Sequence, residues 1–132
     1  MKYLGLDWGK SKIGFALGSD EMKIASPILI LSYHNIEEVK KKLIELIESD
    51  EIETIVIGKP VSLSGNENFS EQFNDFINLV ESLNVKVELE DERLSTKYAA
   101  SLKKQFKNFN KVGDDDIAAA AILQSYFDRK KS

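Results

Sequence analysis

Two hydrophobic periods follow one another along this chain, and their order constrains the fold more than any other feature of the sequence. Three short apolar runs come first, separated by tight polar connections, at residues 3–6, 13–17 and 24–31. Short runs bounded by turn residues predict strands, and the tight connections predict an antiparallel meander. Pro27 places the third strand at an edge or a bulge, because proline cannot donate a hydrogen bond to a neighbouring strand.

Amphipathic helices and strands alternate over the rest of the chain. Asn35 can cap a helix, with Glu38 at the capping-box position. The apolar stripe of this helix consists of Ile36, Val39, Leu43, Leu46 and Ile47. Residues 54–58 then predict a buried strand, residues 69–83 predict a second amphipathic helix, and residues 85–90 predict a fifth strand.

Two further helices are predicted, one starting near Ser95 and one from about Asp115, which gives the order βββαβαβαα. Strands joined through helices pair in parallel with right-handed crossovers, whereas the first three strands pair antiparallel. The sequence therefore predicts one α/β domain over residues 1–132, with a five-stranded mixed sheet flanked by helices. A chain of 132 residues is long enough to bury a normal core.

The composition excludes several classes of site. There is no cysteine, which excludes disulfides and thiolate metal sites. The single histidine, His34, is expected at the surface and cannot build a zinc site alone. No apolar run approaches the ~20 residues of a membrane span, and the first residues lead straight into a strand, so we expect a cytoplasmic protein. A net charge of −4 leaves room only for a local basic patch.

Acidic residues fall at the ends of the predicted elements. Asp7 ends the first strand, Asp91 and Glu92 end the fifth, and residues 114–116 open the last helix. The carboxyl ends of parallel strands meet at one edge of a sheet, where ligands bind. Taken singly, the triplet could be a helix cap and Asp7 a turn residue. Together these oxygen ligands suit Mg²⁺ or Mn²⁺, and such ions support phosphodiester hydrolysis.

A basic segment precedes the last helix. Residues 97–112 hold five lysines and no acid. The lysines are Lys97, Lys103, Lys104, Lys107 and Lys111. The segment is either a solvated helix face or a surface that follows a phosphate backbone. We favour the second interpretation, because Gly113 permits a turn that leads from the lysines to Asp115.

Four segments, in order and over nearly the whole chain, resemble the YqgF/RuvX family of Holliday junction resolvases and pre-16S ribosomal RNA nucleases. They are residues 6–16 (LDWGKSKIGFA), residues 56–60 (VIGKP) with Gly65, residues 91–96 (DERLST), and Asp115 with residues 118–119 and 122–126 (ILQSY). The sequence departs from the family pattern in three places, one of which is the run at residues 61–64 (VSLS) in place of a more polar version that contains Asn or Asp. Ser11 replaces one member of a basic pair, and Lys59 stands where an aliphatic residue is usual.

The resemblance implies a ribonuclease H-like fold and a metal-dependent nuclease that matures the 5′ end of the small-subunit (16S) ribosomal RNA precursor. It places the catalytic, metal-binding acids at Asp7, Glu92 and Asp115. Asp91 remains a rival to Glu92, although strand alternation favours a structural hydrogen-bonding role for it. Asp114 and Asp116 match positions where the family need not be acidic.

The predicted partner is nucleic acid, either structured RNA such as the ribosomal precursor or branched DNA. The predicted nucleic-acid contacts are Lys10, Lys12, Lys59, Arg93, Lys103, Lys104 and Lys107. The expected oligomeric state is a monomer or a homodimer. The competing functions are a nucleotide phosphohydrolase and a non-catalytic RNA-binding module, in which the acids would be structural.

Overall fold

The computed structural model of the protein describes residues 1–59, 71–105 and 114–130. The elements are β1 (Lys2–Trp8), β2 (Lys12–Ser19), β3 (Ser26–Ser32), α1 (Ile36–Ser49), β4 (Ile52–Lys59), α2 (Glu71–Glu81), β5 (Lys86–Asp91), α3 (Glu92–Gln105) and α4 (Asp114–Lys130). The predicted order βββαβαβαα is confirmed. Within these described ranges, no helix is long and apolar enough to cross a membrane.

The five strands form one mixed sheet in the order β3-β2-β1-β4-β5. β1 pairs antiparallel with β2, and β2 with β3, whereas β1 pairs in parallel with β4, and β4 with β5. Pro27 lies on the edge strand β3, where the register with β2 shifts between Phe15 and Ala16, as the proline predicts. The carboxyl ends of β1, β4 and β5 therefore meet at one edge of the sheet.

The two faces of the sheet carry different layers. One face is covered by α1 and α2 over a large apolar core. Its largest fully buried side chains include Phe15, Phe73, Phe76, Leu4, Leu6, Ile13 and Ile57. The other face is covered by α4, whose alanines allow a close approach to the strands. A Cβ atom on Gly5 would lie 2.9 Å from the Leu123 Cβ and 3.0 Å from the Ala119 carbonyl oxygen.

Polar side chains anchor α4 on both flanks. The Gln124 amide donates to the Lys23 carbonyl oxygen (2.8 Å) and accepts from the Ala25 backbone N–H (3.0 Å), ahead of β3. On the opposite flank Glu90 of β5 is 1% exposed. Its carboxylate accepts from the Ser125 hydroxyl at 2.7 Å and from the Arg129 guanidinium at 2.6 and 3.0 Å. A fully bonded buried carboxylate thus fixes α4 against β5.

Most strand and helix boundaries lie within one or two residues of the prediction, and the start of α3 differs by three. The third strand begins at Ser26 rather than at residue 24, and Ile24 is exposed. Helix α3 begins at Glu92 rather than near Ser95, because an Asp91 carboxylate oxygen accepts from the Arg93 backbone N–H at 2.8 Å. That bond caps the helix one residue after the strand ends. Phe69, expected in the second helix, lies outside the described residues.

Arg129→Met tests the buried ion pair. The substitution leaves the Glu90 carboxylate buried without its cation, so we expect the free energy of unfolding to fall by about 2 kcal/mol, less than for a wholly buried pair because Arg129 is partly solvated. Urea unfolding followed by circular dichroism would measure it. The control is Lys42→Met in the more exposed Lys42–Glu45 pair (3.3 Å), where we expect a change below about 0.5 kcal/mol. Equal losses in the two variants would contradict a stabilising role for the Glu90–Arg129 pair.

Candidate active site

Asp7 and Glu92 come together at the carboxyl edge of the sheet. Asp7 lies near the end of β1, and Glu92 is the first residue of α3, directly after β5. These strands are separated by β4, so the two backbones are two strand spacings apart, roughly 10 Å. The Glu92 side chain spans this gap and forms a side-chain hydrogen bond with Asp7.

Gly58 of β4 makes that contact possible. A Cβ atom at Gly58 would lie 3.1 Å from the Glu92 Oε1 and 3.2 Å from its Cγ, and it would overlap the Ile122 Cδ1 of α4. Because Gly58 has no side chain, the Glu92 side chain can pass over β4 at this position. The sequence signal for this role is a glycine directly after the buried apolar run Ile55–Ile57.

The electrostatics of the pair favour a retained proton. Burial, the hydrogen bond to Asp7 and the charges of Asp7 and Asp91 together raise the pKa of Glu92 to about 8, and burial contributes most. A hydrogen bond between two carboxyl groups requires that one of them carry the proton. At neutral pH the metal-free pair therefore holds about one negative charge rather than two.

Asp91 has the opposite environment from its neighbour Glu92. The Arg93 side chain donates to its carboxylate at 2.8 Å, and the Arg93 backbone N–H donates to it at 2.8 Å. Hydrogen bonding by the Arg93 guanidinium lowers the pKa of Asp91 below its ordinary value. The predicted structural hydrogen-bonding role of Asp91 is confirmed by these contacts.

The start of α4 lies at the same edge of the sheet. Phe127, late in α4, packs edge-on against Tyr3 near the start of β1, with ring centroids 5.2 Å apart. Ala119, two turns earlier in the helix, packs against Gly5. The helix therefore runs opposite to β1, and its beginning points toward the carboxyl end of that strand. Asp115 lies one turn before Ala119, about 6 Å further along the axis. The Asp115 side chain lies outside what the structure describes.

The donor set fits a hard divalent cation. Carboxylate oxygens are the ligands that Mg²⁺ and Mn²⁺ prefer, and the proton shared by Asp7 and Glu92 marks a position where positive charge is stabilised. Among the side chains that the structure describes, no group of three or more acidic or histidine residues assembles. A third carboxylate from α4 would have to come from residues 114–116.

The predicted nucleic-acid contacts are distributed around this edge. Lys10 and Lys12 are exposed in the β1–β2 turn beside Asp7, where they line a cavity of about 200 Å³. Lys59 ends β4 opposite Asp91 in register. Arg93 pairs with Asp91 but stays 70% exposed at its side chain.

Only part of the lysine segment is described. Lys104 is exposed on α3. The side chains of Lys97 and Lys103, together with residues 106–113, lie outside the described part of the chain. Their contribution to a basic surface therefore stays a prediction.

The structure places Trp8 partly in the core and His34 at the surface, as expected for His34 from the sequence. Trp8 is partly buried and packs edge-on against Phe73, with ring centroids 5.4 Å apart, so it belongs to the core between β1 and α2. His34 is exposed, just before the Asn35 cap of α1. The Asn35 side chain accepts from the Glu38 backbone N–H at 3.1 Å, as the capping-box position predicts.

The fold has a clear counterpart among solved structures. The chain superposes on T. thermophilus RuvC, solved in complex with a Holliday junction substrate, with a TM-score of 0.71. The match covers 98% of this chain and 95% of that chain at 10% sequence identity. The likeness confirms the predicted ribonuclease H-like fold.

Sequence relatives cover nearly the whole chain. A protein of Rickettsia rickettsii (strain Sheila Smith), named "Putative pre-16S rRNA nuclease", is 34% identical over 136 residues, covering 98% of this chain and 87% of the relative. A protein of the same name from Anaeromyxobacter sp. (strain Fw109-5) is 35% identical over 133 residues, covering 97% of each.

A family model also matches. The model described as "RuvX: Holliday junction resolvase" aligns with residues 1–129. The family and the relatives are nucleases by name, so the predicted class of enzyme, a hydrolase of phosphodiester bonds, is confirmed. With the match extending over both site segments and α4, the chain belongs to the RuvX (YqgF) family.

Proposed function

We propose that this chain is a divalent-metal-dependent nuclease whose catalytic, metal-binding residues are Asp7, Glu92 and Asp115. The observation that carries the proposal is the carboxyl–carboxyl contact of Asp7 and Glu92 across Gly58. Two acids held together at a sheet edge destabilise the metal-free protein, and a purely structural role would not require them. The start of α4 at the same edge supports Asp115 as the third acid.

The acids would hold Mg²⁺ or Mn²⁺. Bound there, the ions supply Lewis-acid stabilisation of the phosphoryl oxygens and lower the pKa of a coordinated water. The chain's own part is to fix the carboxylates and to bind the strand. Asp7 is held by the ladder to β2, and Glu92 is held by the capped start of α3.

The proposed substrate is the precursor of 16S ribosomal RNA, cleaved during maturation of its 5′ end in the cytoplasm. The names of the relatives support this choice. Branched DNA is the second candidate, which the family's description as Holliday junction resolvases favours. The exposed Lys10 and Lys12, with Lys59, Arg93 and the lysines of the 97–112 segment, would neutralise phosphates of either substrate.

A cleavage assay separates these possibilities. Purified protein is incubated with a structured RNA carrying the precursor 5′ end, with single-stranded RNA, and with a four-way DNA junction, each with Mn²⁺ and with EDTA. We expect Mn²⁺-dependent cleavage of the structured RNA. Preferential cleavage of the junction would move the assignment to branched DNA, and binding without cleavage of any substrate would make the chain a non-catalytic module.

Asp7→Asn should abolish cleavage in this assay while the protein stays folded. The amide removes one charged ligand and also removes the repulsion between Asp7 and Glu92, so the thermal midpoint should stay equal or rise. Circular dichroism melting and single-turnover cleavage of the same preparation measure both effects. Activity within a few-fold of wild type would show that Asp7 is not part of the site.

Glu92→Gln and Asp91→Asn form a matched pair of neighbouring isosteric changes. Glu92→Gln should lose at least about a hundredfold more activity, because of these two residues only Glu92 is proposed as a ligand and the loss of a metal ligand costs several kcal/mol. Asp91→Asn should mainly lower stability by about 1 kcal/mol, because it weakens the α3 cap and the pair with Arg93. The reverse ranking in kcat would assign the metal to Asp91.

The raised pKa of Glu92 predicts how stability depends on pH. Between pH 4.5, the ordinary pKa of a glutamate side chain, and about pH 8, the folded protein keeps a proton that the unfolded chain has released. The unfolding free energy of the metal-free protein should therefore fall as the pH rises through that window. The expected loss relative to Glu92→Gln is on the order of 2 kcal/mol, reduced by partial solvation.

Urea unfolding in EDTA, repeated at intervals from about pH 5 to about pH 9, measures how the unfolding free energy changes with pH. Glu92→Gln, which cannot titrate there, should show a flatter profile. At the alkaline end, adding Mg²⁺ should restore stability to the wild type and do less for Glu92→Gln. Parallel profiles for the two proteins would show that Glu92 does not hold the proton.

A further inference from the structure

Tyr33, just after β3, holds both ends of the β1–β2 turn. Its hydroxyl donates to the Gly9 carbonyl oxygen at 2.6 Å, and its backbone N–H donates to the Ser11 carbonyl oxygen at 3.0 Å. The indole of Trp8 lies next to the same hydroxyl. One residue thus ties the turn to the third strand and to the aromatic side chain next to Asp7.

The turn that Tyr33 holds is tightly folded. A Cβ atom on Gly9 would lie 2.7 Å from the Lys12 carbonyl oxygen, so only glycine fits there without moving backbone. Trp8 is in turn fixed by its edge-on contact with Phe73 of α2. The chain of contacts therefore connects the turn to the buried core rather than leaving it to its own conformational preferences.

A cavity of about 200 Å³ opens between this turn and Asp7. Its lining includes Asp7, Lys10, Ser11, Lys12, Gly14 and Ile30. The turn thus contributes two ammonium groups and a hydroxyl, a donor set that suits an anion, beside the carboxylate of the site. Since a water molecule occupies about 30 Å³ of liquid volume, a phosphate group with part of its hydration shell fits this cavity.

We infer that Tyr33 is a positioning residue, which fixes the β1–β2 turn so that this cavity receives one phosphate group of the nucleic-acid strand next to Asp7. The inference rests on the proposed nuclease function and adds a phosphate position and the residue that shapes it. Tyr33 acts through the Gly9 and Ser11 carbonyls. Its loss should therefore affect binding of the strand and leave the carboxylates in place.

The test compares Tyr33→Phe with Tyr3→Phe. Each variant loses one phenolic hydroxyl, but Tyr3 lies at the opposite end of β1, where its hydroxyl contacts the Met1 sulfur. The probe is a labelled structured RNA hairpin, bound in EDTA over a series of salt concentrations. Mn²⁺ affinity, amide hydrogen exchange of residues 9–12 and Trp8 fluorescence complete the measurements, since Trp8 is the only tryptophan in the sequence.

We expect Tyr33→Phe to bind the hairpin about three- to tenfold more weakly, as for the loss of one hydrogen bond that orders a site. The slope of log affinity against log salt should become shallower by roughly 0.7 to 0.9 if one phosphate contact is lost. Exchange at residues 9–12 should accelerate and Trp8 emission should shift. Mn²⁺ affinity and single-turnover cleavage at saturating RNA should stay close to wild type, and Tyr3→Phe should match wild type throughout.

Gly9→Ala gives an independent perturbation of the same turn. The added methyl group collides with the Lys12 carbonyl, so this variant should reproduce the weaker binding and the shallower salt slope. If wild type binds and cleaves but Tyr33→Phe keeps its affinity, salt slope and amide exchange, the role of Tyr33 is overturned and the nuclease proposal stands. If wild type neither binds nor cleaves nucleic acid, the proposed function and the phosphate position fall together. Unchanged amide exchange at residues 9–12 in Tyr33→Phe would by itself overturn the positioning role of Tyr33.

Discussion

The contact between the Asp7 and Glu92 carboxyl groups is the interaction on which the arrangement of the surrounding strands and helices depends. Asp7 at the end of β1 and Glu92 directly after β5 meet only because Gly58 of the intervening strand β4 has no side chain. Burial, and after it the hydrogen bond and charge of Asp7, raise the pKa of Glu92 to about 8 and keep a proton on the pair. The shared proton reduces the repulsion, and the apolar layers on both faces of the sheet offset the remaining cost of burying a charged pair.

The elements that bring the acids together are fixed by contacts away from them. The ladder between β1 and β2 sets Asp7, and the Asp91 cap sets the first turn of α3. Helix α4 is held by Gln124 on one flank and by Glu90 on the other, far from its first turn. A displacement of α4 along its axis would break hydrogen bonds on both flanks, so these bonds fix the position of its first turn, which contains Asp115.

The sequence predicted what depends on local pattern. Hydrophobic periods predicted every described helix and strand, and the acids at strand ends predicted that Asp7 and Glu92 would meet. Contacts between distant residues were not predictable in this way. Glu90 alternates with apolar residues as a solvent-facing residue would, yet it is buried because Ser125 and Arg129, 35 and 39 positions later, supply its partners. The early start of α3 was also missed, because alternation continues through Asp91 up to the helix.

Adjacent acids in one hexapeptide thus acquire opposite electrostatic properties. Asp91 is stabilised as an anion by Arg93, which suits a residue that caps a helix and carries a permanent charge. Glu92 lies against Gly58 and Asp7, where burial and the Asp7 carboxylate disfavour its charge. A carboxylate already neutralised by a guanidinium gains little from a metal ion, whereas one held against another acid gains a great deal. The geometry therefore distinguishes Asp91, which caps α3, from Glu92, the proposed metal ligand, although the two residues are adjacent in the sequence.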